Sequence, residues 1–326
     1  MPRIELLDDD AGPEEIDEGT RPVVIRMPFD LHEAVIAKAA SENLSAAAAV
    51  RTALRSYVER AELERDLRDA VALRQLHLLY QPVARLPEGP VVGAEALARW
   101  SHPTQGPVAP ATFVPMAEQA GVMGEVGGWV LEEAVGQLAS WRRASVASVE
   151  LHVSVNVSEV QLHDEHLTDR IADALGMHGL DATALCVEMK ESSLIEDPAA
   201  GAHLVARMQR LGVLVVIDDF GTEYTSLAHL SRFPGTSLKV AKSLVDSLAL
   251  EDSAEASLLA AIVAMAKSLG ISTVAKGVET LAQSERISEL GFDAVQGYLM
   301  SRPVSAKRLL ESWAAPPGSG LRVVAD

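Results

Sequence analysis

The chain has little of what staples a small fold or anchors one in a membrane. One cysteine, Cys186, stands among 326 residues. That excludes a disulfide framework and a cysteine-rich zinc site. No apolar run approaches membrane-spanning length, and no charged-then-apolar leader opens the chain. The expectation from both absences is a cytoplasmic protein. Positive charge is also short, with 28 Lys and Arg against 46 Asp and Glu, for a formal net charge of −18. What is plentiful is apolar content, 48% of residues, which is enough for a full core.

The charge deficit is uneven. Residues 1–18 carry eight acids and one arginine, without periodicity and with Gly12 and Pro13, so residues 1–19 are expected to be a flexible acidic tail. Residues 19–60 reverse the balance, with six Lys and Arg against four acids. A basic island in an acidic chain suits an anionic partner. An ordinary solvated surface gives the same pattern.

Residues 22–28, PVVIRMP, alternate like a short strand, with Val24 and Arg26 on one face. Asp30 with Glu33 three residues on predicts a capping box and a helix running to about Asn43. Ser45 is placed to cap a second helix, whose Val50, Ala53, Leu54, Tyr57 and Val58 form one apolar stripe. One strand and two helices cannot close a core alone, and a second copy of the chain would solve this by symmetric pairing. The order resembles the ribbon-helix-helix family, of the Arc and MetJ type, over residues 20–62. The resemblance implies a homodimer with Val24 and Arg26 facing DNA bases and the amides at Ser45 and Ala46 holding phosphate. A module kept only for dimerisation fits the same residues.

From Ala61 a charged helical stretch leads into eight strand-like segments, around 78–85, 91–98, 149–156, 185–190, 213–218, 237–241, 271–275 and 293–299. Helix-length segments separate most of them. This predicts an α/β fold, a TIM-like (β/α)8 barrel over residues 63–310, with a C-terminal tail at 311–326. The first two strands are joined only by PEGP, too short for a parallel crossover, so one strand of the barrel should be antiparallel. The strand ends gather Glu95, Asn156, Glu188, Asp218, Asp219, Lys239, Lys276 and Gln296. Four carboxylates and an amide oxygen converging on one mouth call for a cation, and oxygen ligands favour Mg²⁺ or Mn²⁺.

GAEALARW at 93–100 followed by HP at 102–103 resembles the signature of EAL domains, the cyclic diguanylate phosphodiesterases. The likeness continues through YQPV, VSVNVSEVQL, VIDDFGT, SLK and QGYLMSRP, covering roughly residues 63–305. It implies that Glu95, Asn156, Glu188 and Asp218 hold a first metal ion and that Asp219 serves a second. Lys239 would stand near the attacking water, with Asp219 also catalytic. Gln81, Leu97, Arg99 and Gln296 would meet the ligand, Arg99 through a phosphate. Glu191 would steady the loop after the Asp pair.

The departures from that family matter as much. AKGVE stands where the family has AEGVE, so Lys276 replaces a glutamate that binds the second metal. Ala241 replaces an aspartate, Glu223 a glycine and Lys190 a threonine. An ammonium about 4 Å from a divalent ion repels it by about 8 kcal/mol at an effective dielectric of about 20. One metal site is therefore expected and the second is doubtful. The leading expectation is an impaired phosphodiesterase acting as a cyclic diguanylate receptor coupled to the N-terminal DNA-binding dimer. The alternatives are a working metal-dependent phosphodiesterase and a ligand-free scaffold or transcription factor.

Overall fold

The computed structural model describes residues 27–87, 89–144, 151–222, 237–249 and 254–313. The expected strand residues Val24 and Arg26, the acidic tail and Glu223 lie outside these. The chain divides into two compact units, with the boundary between Leu67 and Arg68.

The first unit is helical where described. Helix α1 spans Phe29–Ser41 and α2 spans Ala46–Ala70. The capping box expected at Asp30 does not form. Pro28 is the N-cap, without a side-chain bond, and Asp30 falls inside the first turn, where its charge still meets the positive helix end. Asn43 ends this segment in the left-handed conformation, φ 56°. Ser45 does cap α2, its Oγ accepting from the Ala48 N–H at 3.1 Å. The charged helical stretch expected from Ala61 continues this helix in good helix formers. Leu54, Tyr57 and Val58 on α2 and Phe29, Leu31 and Ile36 on α1 are exposed. Among the described residues of this unit, the buried apolar side chains are Ala39, Leu63 and Leu67.

The second unit is a closed barrel. Its strands are β1 Leu76–Arg85, β2 Val91–His102, β3 Gly106–Val108, β4 His152–Val157, β5 Leu185–Lys190, β6 Leu214–Phe220, β7 Ser237–Val240, β8 Thr273–Lys276 and β9 Ala294–Gln296. The sheet order is β1-β9-β8-β7-β6-β5-β4-β2-β3, and a β1–β2 pairing closes it. β1 is antiparallel to both neighbours, as the short PEGP link requires, while β2 and β4 to β9 run parallel. β3 was not expected. It is a three-residue hairpin return on β2, and its Gly-Pro-Val sequence carries no alternation to reveal it. The last helix, Ala306–Trp313, runs past the expected barrel end at residue 310.

Alternation along each strand sorts the barrel into two faces. On β5, Leu185, Val187 and Met189 join the core cluster under the helices, while Glu188 turns to the barrel axis. Tyr80 packs edge-on against Trp141 of the helix Met123–Arg143, ring centroids 4.9 Å apart. Among the described residues no helix is long and apolar enough to cross a membrane.

Gly93 of β2 pairs in register with His152 of β4. A Cβ on Gly93 would lie 2.4 Å from His152 Nε2, so the glycine makes room for the imidazole. Burial, then the charge of Lys239, pushes His152 down to about 4. The unfolded chain, with its histidine near 6.5, takes up this proton first. The neutral imidazole therefore favours the fold above pH 6.5, and that contribution is lost as pH falls toward 4. Chemical denaturation should show up to about 3 kcal/mol lost over this window. His152→Gln should flatten the dependence; an unchanged pH profile in that variant would refute the assignment.

Candidate active site

Each of the barrel strands places one polar side chain at the mouth. They are Gln81 on β1, Glu95 on β2, Asn156 on β4, Glu188 on β5, Asp218 on β6, Lys239 on β7, Lys276 on β8 and Gln296 on β9. Glu95, Glu188, Asp218, Lys239 and Gln296 are buried.

Two ammonium groups organise this ring. Lys239 Nζ lies 2.7 Å from Glu95 Oε2 and donates to both oxygens of Glu188 at 2.7 and 2.6 Å. Lys276 Nζ donates to both oxygens of Asp218, at 2.9 and 2.7 Å, and to Asp219 Oδ1 at 2.8 Å. Amides complete the set. Asn156 Nδ2 donates to Glu95 Oε1 at 2.8 Å, and Gln296 Nε2 donates to Glu95 Oε2 at 2.8 Å and to Gln81 Oε1 at 3.3 Å. Gln81 Nε2 in turn donates to the Ser301 carbonyl at 3.1 Å. Gln296 Oε1 is buried without a hydrogen-bond partner.

The electrostatics follow from these contacts. Burial alone would raise the Glu95 carboxyl, but Lys239 and the two amides outweigh it and hold it at about 2. Glu188 has the opposite fate. Burial, then the neighbouring Glu95 charge, pushes it up to about 7 against the pull of Lys239. Burial works against the charge of Lys239, yet Glu188, Glu95 and Asp218 raise it. Lys276 is raised in the same way, burial being overcome by Asp218 and Asp219. Both ammonium groups thus keep their protons, and neither is a base at neutral pH.

The remaining expected residues sit around this ring. Asp219 is left-handed at φ 54°, next to a register shift between β6 and β7. Glu191 Oε2 accepts the Gly221 N–H at 2.8 Å, beside the start of the loop after the Asp pair. Leu97 and Arg99 lie farther along β2, beyond Glu95, with Arg99 half-buried and donating to the Ala98 carbonyl at 2.9 Å. Ala241 is buried, so no carboxylate stands at that position. Lys190 ends β5 on the axis face of Glu188, and it is exposed. The turn after β9 went unremarked in the sequence beyond its motif. There Tyr298 is exposed and the Arg302 guanidinium sits 4.5 Å from its ring centroid. The signal was an aromatic residue two positions after a mouth glutamine.

As they stand, the carboxylates are drawn to two separate ammonium groups. Among the described residues no three His, Cys, Asp or Glu side chains are gathered at one metal-binding point. The donor set nonetheless suits a hard cation. A bound cation requires Glu188 to be ionised as well. With all four carboxylates charged, Glu95, Glu188, Asp218 and Asp219 bring four negative charges and Lys239 and Lys276 two positive ones. The residual charge equals that of one divalent ion, and two would overshoot it.

A family model described as the EAL domain matches residues 64–303. The chain is 40% identical over 256 residues to the bifunctional diguanylate cyclase/cyclic di-GMP phosphodiesterase MucR of Pseudomonas aeruginosa, covering 78% of this chain and 37% of that protein. It is 37% identical over 251 residues to the oxygen sensor protein DosP of Escherichia coli, covering 77% of this chain and 31% of that one. The chain therefore spans about a third of the length of these curated relatives. Among solved structures it resembles a PaMucR phosphodiesterase in complex with c-di-GMP, with TM-score 0.72 and 40% identity over 76% of this chain and 99% of that one. The EAL domain of Mycobacterium smegmatis DcpA is also similar, with TM-score 0.60 and 29% identity over 73% of this chain and 97% of that one.

Removing the inner ammonium should be costly, because it strands two buried carboxylates. Lys239→Met is expected to lose about 3–5 kcal/mol in chemical denaturation. Adding Glu188→Gln should recover part of that loss, since the second variant removes one stranded charge. Equal stability of the single variant and the wild type would show that Lys239 is not needed to hold the carboxylates.

Proposed function

Because the chain belongs to the EAL domain family, we propose that it binds cyclic diguanylate as a receptor and hydrolyses it poorly. The observation that carries this reading is the Lys276 ammonium, held by three carboxylate oxygens of Asp218 and Asp219. A hard divalent ion, when bound, supplies a water acidic enough to attack a phosphodiester. An ammonium supplies charge but no such water. Lys276 fills the second cation's place electrostatically and leaves its chemistry out. Glu95, Asn156, Glu188 and Asp218 would hold one Mg²⁺ or Mn²⁺, with the Asn156 amide turned to present its oxygen. Arg99 pairs with a ligand phosphate, and Gln81, Leu97 and Gln296 line the ligand.

One observation favours a second reading, a working phosphodiesterase. The Lys239–Glu95–Glu188 cluster and Gln296 are all in place. Under it, the unaltered chain turns over cyclic diguanylate at enzyme-like rates and Glu95→Ala abolishes this. Under the receptor reading, calorimetric titration in Mg²⁺ gives saturable heat and the ligand is recovered intact. Mn²⁺ titration then gives one ion per chain. Lys276→Glu with Ala241→Asp should bind a second ion and raise turnover by about a hundredfold or more. No gain in that double variant, or rapid hydrolysis by the unaltered chain, would refute the receptor reading.

For the first unit we propose pairing of two copies through the exposed stripe of α1 and α2, with the pair binding DNA in the ribbon-helix-helix manner. The small number of buried apolar side chains among the described residues of this unit, Ala39, Leu63 and Leu67, supports it. Sedimentation should give a dimer, and Leu54→Asp with Tyr57→Asp should give a monomer. Arg26→Ala should weaken DNA binding in anisotropy titration. A monomeric wild type would overturn the pairing, and DNA affinity unmoved by Arg26→Ala would overturn the DNA contact.

A further inference from the structure

Lys190 is a charge at the mouth that the ring of ion pairs does not use. It is the last residue of β5 and shares the axis face with Glu188. In register it pairs with Asp218 of β6, so its side chain starts beside the acid that Lys276 holds. Its backbone is fixed. Met189 before it and Glu191 after it are buried, and Glu191 accepts the Gly221 N–H at 2.8 Å. Its side chain is exposed, and among the described residues no hydrogen bond or ion pair engages its ammonium. The neighbouring acids explain this. Both oxygens of Glu188 accept from Lys239, and both oxygens of Asp218 accept from Lys276. A third lysine arrives where the carboxylates are already taken.

Other cations near the mouth are engaged. Lys242 pairs with Asp246 and Glu279, at 2.8 and 2.9 Å, and the Arg302 guanidinium lies over the Tyr298 ring. Arg99 donates to the Ala98 carbonyl and, among the described residues, to no carboxylate. One divalent ion would bring the four acids and the two inner lysines to neutrality. Lys190 and Arg99 then remain as surplus positive charge, which suits an anion. They stand on different parts of the rim, because β4 lies between β2 and β5. Strand spacing sets those two strands about 10 Å apart. A small single anion would engage one cation and leave the other unused. Cyclic diguanylate carries two phosphodiesters, each with one negative charge, and an ammonium on a flexible stem binds phosphate as a point charge. We propose that Lys190 is a ligand anchor: it takes one phosphodiester of cyclic diguanylate on the Lys276 side of the mouth, while Arg99 takes the other. This rests on the receptor reading above and adds to it a second phosphate contact, made by a side chain rather than by a second metal ion.

The test is calorimetric titration of the full chain with cyclic diguanylate in Mg²⁺, at low and at high salt. Lys190→Gln keeps the side chain's polarity and most of its length and removes its charge. It should weaken binding by about tenfold, the scale of one exposed charge-assisted contact. Its affinity should also fall less steeply with salt than that of the wild type, because one screened attraction is gone. Lys190→Arg should bind within about threefold of the wild type, and Lys190→Glu more weakly than Lys190→Gln. Thermal unfolding of ligand-free Lys190→Gln should match the wild type, which separates a lost anchor from a damaged fold. If Lys190→Gln keeps wild-type affinity and salt dependence while Arg99→Ala loses the ligand, the anchor is overturned and the receptor reading stands. If Lys190→Arg binds as weakly as Lys190→Gln, charge is not the contact and the anchor is overturned as well. If the wild type binds no cyclic diguanylate, the receptor reading falls and the anchor with it.

Discussion

The barrel mouth depends on two ammonium groups placed where carboxylates converge. Charges this deep in a protein interior are costly unless they are paired and hydrogen-bonded. Lys239 can stay buried because Glu95 and Glu188 both reach it, from β2 and β5. Those strands are not neighbours, since β4 lies between them and β7 sits farther round the sheet. Only the closed barrel brings the three side chains together. Closure and the charge cluster therefore support each other. The curvature assembles the ion pairs, and the pairs remove the penalty that four converging carboxylates would impose on it.

The two lysines differ in what they do for chemistry. Lys239 is enclosed, with only 2% of its side chain exposed, and its partners lie on β2 and β5, two strands apart in the barrel. It balances charge in a place that water does not reach. Lys276 is 28% exposed and holds adjacent acids on one strand, Asp218 and Asp219. It sits where an entering ligand or ion would compete for the same oxygens. A single residue type at this position thus divides two outcomes. A carboxylate there deepens the negative field and draws cations in. An ammonium satisfies the field from within, which leaves the pocket able to accept an anion at lower electrostatic cost.

Much of this was legible in the sequence, for physical reasons. The parallel strands read clearly because both their faces are covered, so they appear as short apolar runs ending in a polar residue. The reversed first strand was legible because a short link leaves no other geometry. Local signals misled where a neighbour overrode them. Asp30 has a capping residue's chemistry, but Pro28 starts the helix earlier and leaves Asp30 inside it. The charged stretch after Ala61 reads as helical, and it runs on from α2 without a break. The partners of Lys276 could be guessed from strand ends. The pairing of Tyr298 with Arg302 could not, because it arises from a turn whose shape depends on Gly297 meeting Val278.

That turn and the segment after β6 flank the charge ring in contrasting ways. Asp219 adopts a left-handed conformation that costs a residue with a Cβ energy. The bonds around it offset this: Lys276 holds its carboxylate, Thr222 Oγ1 donates to its carbonyl at 3.0 Å, and Glu191 holds Gly221 two residues on. Strain is tolerated there because charge pairing fixes the backbone. On the β9 side the backbone is fixed by its own hydrogen bonds, without strain at a non-glycine residue, and presents an aromatic face outward. The mouth thus joins a side that fixes charge to a side that offers a flat surface.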